Sequence, residues 1–299
     1  MISLVHDHSK TLELVAACDC EVGEGPFWNP QDHTLVFVES FTGVLLHYRP
    51  ADRSLQRFKI GQALGAVIPR VRGGVVGSSS DGLLAFDNDG SHVQLLVPVE
   101  KDVPDNRMND AKCDSRGRLW VGTFSTRLER DAGRLYRIDS DLTVTEVFAG
   151  VHISNGFAWN PLETLFYFND TGKRLTYVFD YEIETGTASN PRVFLRFSRD
   201  EGMPDGMCAD AQGCLWIALY GGSVVRRYSP KGELIGVIHL PVKAVTSCCF
   251  GGSDFRDLYI TTAWHEPPWV KPPSPRELAG SLFCCRLETG GLPAHCFSG

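Results

Sequence analysis

HTLVFVES (33–40), GGVVGSSS (73–80), GRLWVGTF (117–124), ETLFYFND (163–170), GCLWIALY (213–220) and RDLYITTA (256–263) share one pattern, a polar or glycine turn running into a short apolar strand. With Leu35, Val75, Leu119, Leu165, Leu215 and Leu258 as anchors, successive copies lie 40, 44, 46, 50 and 43 residues apart. Each copy is followed by a second strand-like stretch: GVLLHYRP, GLLAFDND, GRLYRIDS, RLTYVFDY, SVVRRYSP and GSLFCCRL. Polar turns such as Asn88-Asp89-Gly90 and Pro230-Lys231-Gly232 come next. A period of about 45 residues with several short strands in each unit is that of a propeller blade. The apolar face of such a unit cannot be buried alone and must stack on its neighbours.

The repeat predicts an all-β fold, a six-bladed β-propeller with four-stranded antiparallel blades, filling residues 1–299 as one domain around a central funnel. A helical period, which a βαβ fold would need, is missing between the strands. The terminal stretches TLELVAAC (11–18) and LPAHCF (292–297) are strand-like, so one or both can join a blade shared between the termini and remove an open edge. PPWVKPPSPRELAG (267–280) reads as a proline-rich surface excursion near one end of the propeller, placed to shape the mouth of a pocket.

Composition narrows the function. A net charge of -7 argues against a nucleic-acid backbone as partner. No apolar run reaches the roughly 18 residues of a membrane span. The N-terminal MISLVHDHSK lacks the basic-then-apolar order of a secretory signal, so a cytoplasmic location is expected. The ten cysteines lie mostly in strand-like stretches and lack zinc-knuckle spacing, which suits buried thiols in a reducing compartment.

Four segments depart from what a blade alone requires: Gly23-Glu24-Gly25-Pro26, Asn106-Arg107-Met108-Asn109-Asp110, Ser154-Asn155-Gly156 and Pro204-Asp205-Gly206-Met207. Glu24 stands 11 residues before its blade anchor, and Asn109, Asn155 and Asp205 each stand 10 before theirs. The shared offset puts them at equivalent positions, at the start of an inner strand or in the loop entering it, where a closed propeller brings them to the axis. Two carboxylates and two amides form a hard oxygen set for one divalent ion: Ca²⁺, Mg²⁺ or Mn²⁺, with zinc or iron(II) compatible where water positions stay open. Asn-Gly and Asp-Gly are also ordinary turn formers. A turn, however, does not require a carboxylate in one blade and an amide in another, and Glu24 is a weak turn former. Arg107, two residues before Asn109, faces the same way on an extended strand. It is placed either to hold a sugar hydroxyl or carboxylate or to pair with Asp105 or Asp110. Phe27, Trp28, Phe157 and Trp159 read as core packing beside the site, and His152 as a histidine satisfied between blades.

GEGPFWNP (23–30), NRMNDAKCDSRGRLWVGT (106–123), ISNGFAWNP (153–161), PDGMCADAQGCLWIALYGG (204–222) and TSCCFGGSDFRDLYITTA (246–263), in this order and spacing, resemble the SMP-30/gluconolactonase/regucalcin-like family. The resemblance runs from about residue 15 to about residue 290. It implies a six-bladed propeller with one axial divalent metal held by Glu24, Asn155 and Asp205. Asn109 is then a looser partner that contacts substrate, and Arg107 the substrate-binding arginine. Departures from the family pattern include Glu39, Phe124-Ser125-Thr126-Arg127 after Gly122-Thr123, and Tyr220-Gly221-Gly222.

The resemblance implies a small-molecule partner, a sugar (aldono)lactone hydrolysed to its aldonic acid, by a monomer or small homo-oligomer. Asp205 is the expected catalytic base, with activation of the water by the metal alone as the other route. Two different functions fit the same propeller: a metal-dependent esterase or organophosphate hydrolase with an apolar funnel, and a non-catalytic calcium-binding regulatory propeller. Glu201, Asp205 and Arg107 together favour a polar substrate.

Overall fold

The computed structural model describes residues 5–268, 271 and 273–299. Six antiparallel units follow one another along the chain, each wound from an inner strand outward. The first comprises Gly23–Asn29, Thr34–Glu39, Val44–Arg49 and Ser54–Lys59. The second comprises Val67–Pro69, Val75–Ser78, Gly82–Phe86 and Gln94–Pro98. The third is Asn106–Cys113, Leu119–Ser125, Gly133–Ile138 and Val144–Val151, and the fourth is Ser154–Trp159, Leu165–Asp170, Leu175–Glu182 and Thr187–Arg196. The fifth is Met203–Ala209, Leu215–Tyr220, Val224–Tyr228 and Leu234–His239. The sixth takes Ala244–Gly251, Asp257–Ala263 and Leu282–Arg286 from the C-terminal part and Leu12–Ala16 from the N-terminus.

The strand repeat and the strand sharing between termini are as the sequence predicts: Leu12 pairs with Cys285, so the first regular strand of any length completes the last blade. His6–Asp7 adds a short parallel strand outside blade five. A single pairing, Tyr220 with Ala244, joins blades five and six into one nine-stranded sheet. The inner strands touch in succession from the first blade to the sixth, and the sixth touches the first, so the ring closes. The fold is a six-bladed β-propeller.

Apolar side chains fill the gaps between neighbouring blades. Trp120, Phe157, Phe166 and Phe179 pack between blades three and four, and Trp216, Phe250, Ile260 and Phe283 between five and six. Phe27, Trp28, Phe157 and Trp159 are all buried core residues. The cysteines are free thiols, nine of them buried, with Cys296 partly so. Buried carboxylates tie strands at the face where the inner strands end. Asp114 Oδ2 accepts hydrogen bonds from Trp120 Nε1 (3.0 Å), Tyr181 OH (2.6 Å) and Arg118 Nε (2.7 Å). Asp210 repeats this in blade five with Trp216 Nε1 (3.0 Å) and Arg227 Nε (2.8 Å). Such fully partnered carboxylates fix the far ends of the inner strands.

The C-terminal stretch joins no blade. It crosses the end of the ring instead, through isolated pairings of Gly291 with Asp210, His295 with Cys113 and Phe297 with Arg70. Leu292, Pro293, Ala294 and His295 thereby floor an axial cavity of about 290 Å³. Of the proline-rich stretch, residues 269, 270 and 272 lie outside the described residues, as do residues 1–4. Within the rest of that stretch, Ser274 accepts a hydrogen bond from the Lys243 backbone NH at 2.7 Å, and Arg276 lies over the Trp264 ring at 4.7 Å. No described helix is long and apolar enough to cross a membrane.

Candidate active site on the propeller axis

Glu24, Asn109, Asn155 and Asp205 each sit at an irregularity in their inner strand, whereas Arg107 pairs in register with Phe124. Pairing slips by one residue between Glu24 and Phe27, Met108 and Ala111, Asn155 and Phe157, Pro204 and Met207, and Val245 and Ser247. A bulge leaves one residue out of the ladder, bends the strand and re-aims a side chain. The sequence offset therefore marks a position inside the inner strand, at its bulge. The short second-blade strand Val67–Pro69 pairs without a slip. Gly156 shows why the bulge needs glycine: its φ is +30°, and a Cβ there would stand 2.4 Å from the backbone oxygen of Asp205.

The bulges bring side chains from neighbouring blades together. Asn109 Nδ2 donates to Asn155 Oδ1 and to the Ser154 carbonyl, both at 2.8 Å. Asn155 Nδ2 donates to Thr171 Oγ1 at 2.9 Å, and that hydroxyl donates to the Pro204 carbonyl at 2.6 Å. Asn169 Nδ2 holds the carbonyl of Asp205 itself at 2.6 Å. One polar chain thus runs from blade three through blade four to the backbone carrying Asp205.

Glu24, Asp110 and Asp205 are buried and electrostatically linked. Burial, then the charge of Asp110, pushes the Glu24 carboxyl well above its ordinary range, against the opposing Gly25 NH and Arg107. Burial, then the charges of Glu24 and Asp110, does the same to Asp205. Asp110 is raised by burial to about 6, with Lys112 and the Ala111 and Gly156 backbone NH groups working downward. Asp205 Oδ1 has no hydrogen-bond partner although it is buried. Leaving such an atom unpaired costs on the order of 1–3 kcal/mol, and more when it is charged. Among the described residues, no three His, Cys, Asp or Glu side chains gather as a cage made of those residue types alone. The donors at the axis are mixed, with the Asn155 amide beside the carboxylates.

Arg107 pairs with neither Asp105 nor Asp110. Asp105 is taken by Arg127 at 3.1 Å, and the Arg107 guanidinium lies between the rings of Phe124 (5.1 Å) and Phe41 (6.0 Å). Its Nη2 reaches Ser40 Oγ at 3.3 Å and Asn109 Oδ1 at 3.5 Å. Glu201 does not face the funnel either. Its carboxylate pairs with Arg226 and accepts the Ser198 NH at 2.7 Å. His152 is satisfied between loops, its Nε2 3.3 Å from the Leu128 carbonyl.

The match to known proteins is specific. Residues 22–264 match the family described as SMP-30/Gluconolactonase/LRE-like region. The chain belongs to this family. Among SMP-30/gluconolactonase relatives, regucalcin of Xenopus laevis is 35% identical over 261 residues, 85% of this chain and 87% of that protein. A putative sugar lactone lactonase of Bacillus subtilis, YvrE, is 35% identical over 281 residues, 93% of this chain and 95% of the relative. The crystal structure of a calcium-binding regucalcin from Agrobacterium tumefaciens superposes with a TM-score of 0.91 at 26% identity, covering 99% of this chain and 100% of that one.

Against the SMP-30/gluconolactonase background, three further residues emerge at the axis that sequence offsets did not single out. Asp110 follows Asn109 directly, and only the bulge lets both neighbours serve the interior. Tyr220 ends the second strand of blade five and donates to the His265 carbonyl at 2.6 Å. Burial, then the charges of Asp205 and Glu24, raises its hydroxyl pKa, which places it beside the carboxylates. Phe41 sits in a turn whose sequence signals nothing but a hairpin.

Proposed function

We propose that the protein is a divalent-metal-dependent lactonase that opens a sugar lactone to its aldonic acid. The observation carrying this reading is the unpaired buried Asp205 Oδ1, set against the equally buried Glu24 carboxyl beside the Asn155 amide. Two buried carboxyls, Asp205 feeling the charge of Glu24 and having one oxygen without a donor, suit a divalent cation, whose charge two carboxylates balance. Glu24, Asn155 and Asp205 would hold it, and Ca²⁺, Zn²⁺, Mn²⁺, Mg²⁺ and Fe²⁺ are each compatible with that set. When bound, the ion supplies Lewis-acid polarisation of the lactone carbonyl.

The chain's own groups do the rest. Arg107 and Asn109 bind and orient the substrate from one side of the funnel. Asp205 accepts the proton of the attacking water and returns it to the ring oxygen as the ring C–O bond breaks, leaving a carboxylic acid and a free hydroxyl. Family membership with a relative described as a putative sugar lactone lactonase, at 35% identity, supports this substrate class. The regulatory, calcium-binding alternative draws on the regucalcins, and the polar network at the axis weighs against the apolar funnel of an esterase.

A panel of aldonolactones followed by acid release, with and without chelator, tests the reading. Chelator-sensitive turnover is expected. Metal binding without turnover of any lactone would favour the regulatory propeller instead.

A further inference from the structure

Arg107 is a half-buried cation with an unfinished set of partners. Its Nε is buried without a hydrogen-bond acceptor, and Nη2 has only neutral oxygens, at 3.3 and 3.5 Å. Among the described residues it forms no ion pair. The charged groups around it are otherwise engaged. Asp105 pairs with Arg127, and Asp110 accepts the Ala111 NH at 2.8 Å and feels Lys112. Glu24 reaches Arg107 electrostatically but belongs, with Asp205, to the donors that a divalent ion would neutralise. One full positive charge is left over at the funnel wall.

The rings of Phe41 and Phe124 add a second constraint. They flank the guanidinium at 6.0 and 5.1 Å, which favours the cation and leaves its edge as the side open to a hydrogen-bond acceptor. A guanidinium edge with free N–H groups between two aromatic rings is the partner of a planar, two-oxygen anion. A hydroxyl would satisfy one donor and leave the charge uncompensated.

We propose that the preferred substrate is a lactone that carries a carboxylate remote from its ring carbonyl, as in the lactone of an aldaric or uronic acid, with that carboxylate bound by Arg107 between Phe41 and Phe124. This rests on the hydrolytic reading of the axial site. Water adds to the ring carbonyl, the ring C–O bond breaks, and the proton passes to the ring oxygen. The remote carboxylate is unchanged and serves only to anchor the substrate.

The test uses the metal-loaded full chain and two substrates with the same ring, D-glucaro-1,4-lactone and D-glucono-1,4-lactone, which differ in a carboxylate against a hydroxymethyl group. Turnover is read by pH-stat. Binding of D-glucuronate and D-glucose, which have no lactone to open, is read by calorimetry. The expected result is kcat/KM at least ten-fold higher for the glucarolactone and glucuronate bound at least ten-fold more tightly than glucose. Both ratios should fall toward one in Arg107→Gln, with part of the preference kept in Arg107→Lys. Equal or better use of the gluconolactone, with no preference for glucuronate, overturns the anion site and leaves lactone hydrolysis intact. Arg107-dependent binding of glucuronate without turnover of either lactone upholds the anion site and removes the hydrolytic reading. Absence of both binding and turnover removes both.

Discussion

Asn109 and Asn155, 46 positions apart and on different blades, share a hydrogen bond of 2.8 Å from Nδ2 to Oδ1. Because Asn155 Nδ2 is committed to Thr171, the orientation of that amide is fixed from both ends, with its oxygen facing Asn109 Nδ2. The site is thus held by a relay of amide and hydroxyl groups as much as by its carboxylates.

Thr171 is the middle of that relay. Thr171→Val keeps the shape but strands Asn155 Nδ2 and the Pro204 carbonyl, each at a cost of about 1–3 kcal/mol. Metal affinity should fall on the order of 10- to 100-fold, although this residue is not a ligand. Calorimetric titration of metal into the stripped protein checks this, and an unchanged affinity would show that the relay has no part in positioning Asn155.

Asp205→Asn tests the proton acceptor. The variant should fold and lose roughly 10²- to 10⁴-fold in kcat, the usual contribution of a general base. Turnover and bound metal must be measured together. An active variant with full metal content would assign water activation elsewhere and leave Asp205 as a ligand.

Removing the ion should be felt in stability as well as activity. At a hundred-fold excess over its dissociation constant, a ligand of the folded state alone contributes about 2.7 kcal/mol. Chelator should therefore lower the thermal midpoint, and restoring the matching ion should raise it again. A midpoint indifferent to all five candidate ions would contradict an axial metal.

Glu201 provides a pH signature away from the axis. Burial acts to raise its pKa, but the Ser198 NH, Arg226 and the Ser198 hydroxyl outweigh it and draw the carboxyl from 4.5 down to about 2. A depressed folded-state pKa stabilises the protein above the unfolded value, and this is lost as pH falls from about 4.5 through about 2. The pair is partly exposed, so solvent screening holds its worth to about 1 kcal/mol or less. Glu201→Gln should remove that part of the acid dependence in denaturant titrations while lactone turnover at neutral pH persists. A large loss of turnover would return Glu201 to the funnel.

The blades were legible because a strand buried on both faces is apolar along its length and a blade must repeat, and both demands leave marks near Leu35, Leu119 and Leu215. The axial residues were legible for a related reason, since Glu24, Asn109, Asn155 and Asp205 occupy one structural position in different copies. Arg107 shows where this reasoning stops. Its direction followed from alternation with Asn109, but its surroundings depend on Phe41, from a turn of blade one, and Phe124, from the second strand of blade three, which share no spacing. Asp110 was hidden by its neighbour, because strict alternation assigns adjacent residues to opposite faces and a bulge suspends that rule. Glu201 misled because charge near a motif says nothing about direction, and Arg226 had already claimed it. The C-terminal stretch has strand-like composition, yet the edge it would have paired with is taken by Leu12–Ala16.

That last strand has a consequence for biosynthesis. Its partner, Leu282–Arg286, is made long after it, so the growing chain holds an unfinished circle until that segment has left the ribosome. Until then blade one has no neighbour on one flank, and Glu24 is kept from Asp205 by a gap where blade six will stand. Cation capture at the centre should accordingly switch on only once Leu282–Arg286 is in place, and a chain cut short before that strand would fail in affinity before it failed in strand content.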